Sequence, residues 1–249
     1  MMYRPPAVVF YSVAGGVGKT TIATALAHHL SRRGPVLYIS ADFEKNDGTY
    51  RFVSSIQNHD WMNVLKNPPE PPFRLKTWLY IYDGNMAFKL YSAGKLEAAA
   101  AALPLVLHRL PHVLMTHRLP VFYVVVDVMR GYPLVSYLGG AKIRGLELLK
   151  KFAKLVFVAS YDEHEVMKSR GSQIYTAYIE YADMVVMNRV PPSVLKRMSA
   201  EYAAVAPELA ALRSVHAAEE AARVLSKRGL AKAGGRVVNL LDGISMLFT

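Results

Sequence analysis

A chain of 249 residues with 52% apolar residues is long enough to bury a sizeable core, and its length points to one domain, 1–249. With 30 Lys and Arg against 19 Asp and Glu it carries a formal net charge of +11, which favours anionic partners but says nothing about fold. Cysteine is absent, which excludes a disulfide framework, a Cys-ligated zinc, an iron–sulfur cluster and a cysteine nucleophile.

The first run, Ala7 to Ser12, is β-branched and aromatic, as expected of a strand buried on both faces. The uncharged stretch Pro5–Gly18 around it is too short to span a membrane and ends in glycines rather than a cleavage site, so a cytoplasmic protein is expected. After the glycines, Ile22, Ala23, Leu26, Ala27 and Leu30 recur at helical spacing. Gly34-Pro35 stops that helix, and Val36 to Ile39 reads as a second strand. Residues 41–75 hold Pro68-Pro69 and Pro71-Pro72 and read as short helices and loops. Leu79–Tyr82 and Ala87–Tyr91 flank Asp83-Gly84-Asn85 like the arms of a hairpin. An Ala-rich helix is expected from Lys95 to Leu110.

Val121 to Val126 is the most apolar strand, and Leu155–Ala159 and Met184–Met187 read as two more. One helix carrying Val166, Ile174 and Tyr178 is expected between those last two. Strands alternating with helices predict an α/β fold, a mostly parallel twisted sheet with helices on both faces.

The segment Gly15-Gly16-Val17-Gly18-Lys19-Thr20-Thr21 joins the first strand to the first helix. Glycines there let backbone N–H groups wrap phosphate at the positive end of a helix, the P-loop NTPase arrangement. Lys19 would reach the β- and γ-phosphates, and the Thr20 hydroxyl would ligate Mg²⁺, making a Mg²⁺-bound nucleotide the expected ligand. Asp127, followed by Gly131, fits the pattern in which a carboxylate holds Mg²⁺ through water while a glycine N–H senses the γ-phosphate.

The loop resembles the deviant Walker A motif of the ParA/MinD superfamily of ATPases. Val36 to Asp42 is similar to that family's second strand, with Ser40 and Asp42 at its two usual aspartate positions. Leu90-Tyr91-Ser92-Ala93-Gly94 resembles the strand and small-residue turn ahead of its second switch, and Asn188 its adenine-contacting asparagine. The resemblance implies that the ligand is ATP–Mg²⁺, that Asp42 orients the attacking water and that a nucleotide-dependent homodimer forms. Ala14 stands where the family carries a signature lysine that crosses the dimer interface, and Val13 where it usually carries glycine. Lys19 and the loop amides are kept, so the departure bears on dimer-coupled hydrolysis rather than on nucleotide binding. Lys45 and Arg130 flank the two switches and could supply positive charge from the same chain, or be solvated loop residues.

The region 191–249 is expected to be a basic helical segment packed on the domain. Lys196, Arg197, Arg213, Arg223, Lys227, Arg228, Lys232 and Arg236 lie within it, and Lys142, Arg144, Lys150, Lys151 and Lys154 form a second cluster. Such charge suits nonspecific DNA, as the resemblance also implies, or simply covers solvated helix faces. The tail places Leu240, Leu241, Ile244, Leu247 and Phe248 at helical spacing. It lacks a basic polar face, so docking on its own core or in a partner groove is expected rather than membrane binding.

The working expectation is a nucleotide-dependent switch ATPase in DNA or plasmid partitioning, with a protein partner. Two alternatives stand beside it. One is a regulatory protein that binds nucleotide without hydrolysis. The other is a small-molecule kinase or ligase with an acceptor pocket built from the aromatic segment Phe52–Tyr82.

Overall fold

In the computed structural model, which describes residues 3–42, 47–53, 56, 59–133, 136–138, 141–143, 145–191, 194, 204–205, 217–233 and 236–249, the apolar runs are strands. In chain order the first half holds β1 (Ala7–Ser12), α1 (Lys19–Leu30), β2 (Val36–Ala41), α2 (Asp47–Tyr50), β3 (Phe73–Lys76), β4 (Leu79–Tyr82), α3 (Asn85–Ser92) and α4 (Leu96–Thr116). Then come β5 (Tyr123–Arg130), β6 (Ser136–Leu138), β7 (Ala141–Ile143), α5 (Gly145–Lys150), β8 (Lys154–Ser160), α6 (Tyr161–Ser169), α7 (Gln173–Glu180) and β9 (Met184–Asn188). The C-terminal part holds β10 (Ala204–Val205), α8 (Ala217–Arg228), β11 (Leu230–Ala233), β12 (Arg236–Asn239) and α9 (Leu240–Ser245).

Among the described residues, ten strands form one sheet in the order β12-β11-β10-β9-β8-β1-β5-β2-β4-β3. The strands from β10 to β4 run parallel, and β3, β11 and β12 add antiparallel edges. Every residue of β1 and β2 is buried, because both faces of the sheet are covered. Alternation divides β1 cleanly. Ala7, Val9 and Tyr11 join a core under α4 and α7, while Val8 and Phe10 join a second core with α1, α8 and α9. Helix α1 is buried nearly all round because α8 and α9 cover the side that the sheet does not.

Several local expectations are corrected. Asp83-Gly84-Asn85 is no hairpin turn. Asp83 Oδ1 accepts the Asn85 N–H, and Asp60 Oδ2 accepts the Met86 N–H at 2.5 Å, so two buried carboxylates start a helix there. Leu90–Gly94 is therefore the end of α3 and its turn, and β4 is the parallel neighbour of β2. Helix α4 runs on to Thr116 through Pro104 and Pro111. Pro104 deprives the Ala100 carbonyl of its helical donor, and the buried Tyr132 hydroxyl donates to that oxygen at 2.5 Å instead.

The expected single helix after β8 is two helices, with Val166 and Ile174 exposed and Tyr178 buried. Ser172 breaks the run by capping α7 through the Tyr175 N–H. The C-terminal region is not wholly helical either, since β11 and β12 form an antiparallel pair between α8 and α9. Leu240, Leu241 and Ile244 of the tail are buried against the protein's own core. Helix α4 is long and apolar enough to cross a membrane, yet two-thirds of that stretch is buried under the sheet.

Candidate functional site

The residues expected to meet phosphate gather at the carboxyl edge of the central strands, where ligands of such sheets bind. The chain leaves β1 and loops through Gly15 to Gly18, which caps α1 at its N-terminus. Gly16 and Gly18 adopt φ of 76° and 91°, a region that side-chain-bearing residues avoid. A Cβ on Gly18 would lie 2.2 Å from the Asn188 amide nitrogen, whereas one on Gly16 would meet nothing within 4 Å.

Lys19, in the first turn of α1, is only 6% exposed and turns under the loop. Its ammonium donates to Asp127 Oδ1 and stands 3.8 Å from Asp42 Oδ2. Asp127 is wholly buried, and Thr20 and Tyr38 act on the same carboxyl. The Tyr38 hydroxyl donates to Oδ2 at 3.3 Å. Burial pushes the Asp127 carboxyl above the usual carboxylate range, Lys19 pulls it down, and Asp42 pushes it up again. Ser40 stands opposite Asp127 in the β2–β5 register, and its buried hydroxyl has no hydrogen-bond partner among the described residues.

Asp127 does not end its strand, as the sequence suggests, because β5 continues to Arg130. Gly131 follows with φ of 58°, and its N–H donates to the Ser12 carbonyl at 2.7 Å rather than pointing free into the loop. To serve a γ-phosphate it would first have to exchange that bond. Asn188 has partners within the protein itself. Its side-chain amide donates to the Val17 carbonyl at 2.7 Å and accepts the Arg189 N–H at 2.9 Å, so it braces the loop from below at 3% exposure. Arg189 adds a second brace, its guanidinium donating to the Gly16 carbonyl at 2.8 Å.

Lys45 lies outside the described residues, as do Arg144, Lys196, Arg197 and Arg213 of the basic clusters. Arg223, Lys227 and Arg228 are exposed on α8, and Lys150, Lys151 and Lys154 are exposed around the start of β8. Sequence reading missed Tyr38 and Arg189 at the site. Tyr38 sits inside an apolar strand run and looks like a core aromatic. Arg189 follows Asn188 directly, and that adjacency is the signal that was available.

Comparison with known proteins agrees with this geometry at the level of architecture. A ParA family ATPase from Chlorobium tepidum aligns with a TM-score of 0.57 at 14% identity, covering 88% of this chain and 91% of the other. The chain has the fold of the ParA and MinD ATPases. A putative plasmid partition protein from Borrelia burgdorferi, solved with AMPPNP, gives a TM-score of 0.58 at 16% identity, over 87% of this chain and 90% of that one. The cell division ATPase MinD of Pyrococcus furiosus gives 0.57 at 19% identity, over 97% and 99%. No protein-family model and no curated protein matches the sequence. What this chain shares with the ParA and MinD structures is therefore the fold, and its chemistry rests on its own residues.

Those residues fit a Mg²⁺-nucleotide. The donors offered are a hydroxyl from Thr20 and carboxylates from Asp127 and Asp42, all hard oxygens. The Ser40 hydroxyl, orphaned among the described residues, is a buried polar atom on the same edge, and the open side of Gly16 leaves room for phosphate against the loop. Among the described residues no cluster of three His, Cys, Asp or Glu could hold a metal by itself. Sharing a metal between protein oxygens, water and phosphate matches that composition.

Proposed function

We propose that this protein is an ATP–Mg²⁺-dependent switch ATPase of the ParA/MinD kind. The observation that carries the reading is the buried Lys19–Asp127 pair beneath a glycine loop, with Thr20 on the same carboxyl and Asp42 3.8 Å from the ammonium. In such a site Lys19 would move from Asp127 to the β- and γ-phosphates. Thr20 and Asp127 would then hold Mg²⁺, whose role is to neutralise charge on the transferred phosphoryl group. Asp42, at the end of β2 and partly exposed, would orient the attacking water. Breaking the Lys19–Asp127 pair would be the event that links nucleotide binding to the loops after β2 and β5.

For the task of this switch we propose DNA positioning or partitioning, supported by the net charge of +11 and by exposed Arg223, Lys227 and Arg228 on one helix. The AMPPNP-bound partition protein among the similar folds supports the choice of nucleotide. The kinase or ligase alternative finds no such support. Phe52, Trp61, Tyr80 and Tyr82, which would have lined an acceptor pocket, are buried in the two cores.

The test is steady-state ATP hydrolysis with and without nonspecific duplex DNA at two salt concentrations, beside an Asp127→Asn variant. Hydrolysis that DNA stimulates, salt weakens and the variant lacks is the expected result. Tight ATP binding without turnover under any condition would leave a nucleotide-sensing regulator instead.

A further inference from the structure

Strand β5 does not pair regularly with β1 at the site. Phe10 stands opposite Asp127 and Ser12 opposite Arg130, so two steps along β1 match three along β5. The extra residue is a β-bulge, and its effect on side-chain direction is visible in the core. Val124 and Val126 face the α4 side while Val125 faces α1, as strand alternation requires. Val128 and Met129 then both turn to the α4 side. Without the bulge the face that carries Asp127 would next carry Met129. With it, that face carries Arg130.

Arg130 is consequently aimed at the phosphate loop. Its Cδ and Nη1 each lie 3.2 Å from the position a Cβ on Gly15 would take, so the side chain lies across the first glycine of the loop. Any larger residue at position 15 would displace it. The backbone is held there from the far side as well, since the Gly131 N–H donates to the Ser12 carbonyl at 2.7 Å. Position 14, the loop position immediately before Gly15, carries the methyl group of Ala14 and brings no charge.

We propose that Arg130 is the cation that recognises the γ-phosphate, supplied by the same chain that holds the nucleotide. The inference rests on the ATP-binding reading above and extends it. Lys19 answers the β- and γ-phosphates from beneath the loop, and Arg130 closes over the loop mouth from the end of β5. Recognition of triphosphate over diphosphate then needs no second copy of the chain. A guanidinium paired with a terminal phosphate forms short charge-assisted hydrogen bonds that a diphosphate cannot offer.

The experiment compares affinities for AMPPNP and ADP, each with Mg²⁺, by calorimetry on the full chain, for the native protein, Arg130→Ala and Arg130→Lys. The native protein is expected to prefer AMPPNP by about tenfold or more, the range of one charge-assisted contact. Arg130→Ala should bring that preference to within about twofold while leaving ADP affinity within about twofold, and Arg130→Lys should restore part of it. The preference should also be the same at protein concentrations well below and well above any self-association.

Three results would overturn the proposal alone. They are a preference that survives in Arg130→Ala, a native protein that binds both nucleotides equally, or a preference that appears only where the chain dimerises. A native protein that binds neither nucleotide would overturn the ATP-binding reading itself, and this proposal with it.

Discussion

Replacing Lys19 with Met keeps the unbranched apolar stem, one atom shorter, but removes the cation from a pair whose carboxylate has no exposure at all. Stripping one partner from a buried pair costs about 3–5 kcal/mol, because the remaining charge is left without compensation. Asp127 can escape that penalty by taking up a proton. From an ordinary value of 3.8, neutralising it at pH 7.5 costs about 5 kcal/mol, whereas at pH 5.5 the cost is about 2.3 kcal/mol. The protonation route therefore caps the damage near 5 kcal/mol at the higher pH and near half that at the lower one.

The sign follows from the direction of the shift. Burial already raises Asp127 in the folded protein, and loss of Lys19 raises it further. A carboxyl raised on folding contributes stability at acid pH that disappears as pH rises through the folded value. Urea unfolding of nucleotide-free Lys19→Met, followed by circular dichroism at pH 5.5, 6.5 and 7.5, should show a deficit that shrinks by about 1–3 kcal/mol on acidification. Adding Asp127→Asn should abolish the pH dependence of that deficit. A deficit that is the same at all three values would refute the argument, because Asp127 would then not be the charge left behind.

Other consequences separate the structural roles around the site and in the cores. Gly18→Ala should cost clearly more than Gly16→Ala in urea titrations. Both incur about 1–2 kcal/mol for left-handed backbone, but only the first displaces Asn188 from Val17, adding about 1–3 kcal/mol; equal losses would mean that Asn188 does not brace the loop. Burial pushes Asp60 up to about 6, so the native protein should gain about 1.4 kcal/mol from this group between pH 7.5 and pH 5. In Asp60→Asn that increment should vanish, and an unchanged pH–stability curve would count against it. Leu241→Ala should lower stability by about 2–5 kcal/mol in plain buffer, since Leu241 is fully buried beside α1 and α8. A loss near zero would mean that the tail is not part of the core.

The parts of the fold that were legible in the sequence are those decided by neighbours in the chain. Ala7–Ser12 and Val36–Ala41 are buried on both faces and read as continuous apolar runs, and the glycines between β1 and α1 have one economical use. Where distant residues decide, the reading failed. Pro104 ends a helix in isolation, and the donor it removes from the Ala100 carbonyl is replaced by the Tyr132 hydroxyl, 32 residues from Ala100. Asp83-Gly84-Asn85 has the composition of a tight turn, yet Asp60 from another segment caps the helix that starts there.

The same division runs through the site. Lys19, Thr20 and Asp127 come together because the first two open α1 directly after β1, and Asp127 lies in β5, the parallel neighbour of β1, both on runs legible from local sequence. Asn188 and Arg130 are placed by longer-range geometry. Asn188 meets Val17 only because β9 lies two strands from β1 in the sheet order. Arg130 meets Gly15 only because the β1–β5 pairing slips by one residue. A strict alternation pattern assigns Arg130 to the wrong face of the sheet. No local feature of Asp127-Val128-Met129-Arg130 announces the bulge that corrects it.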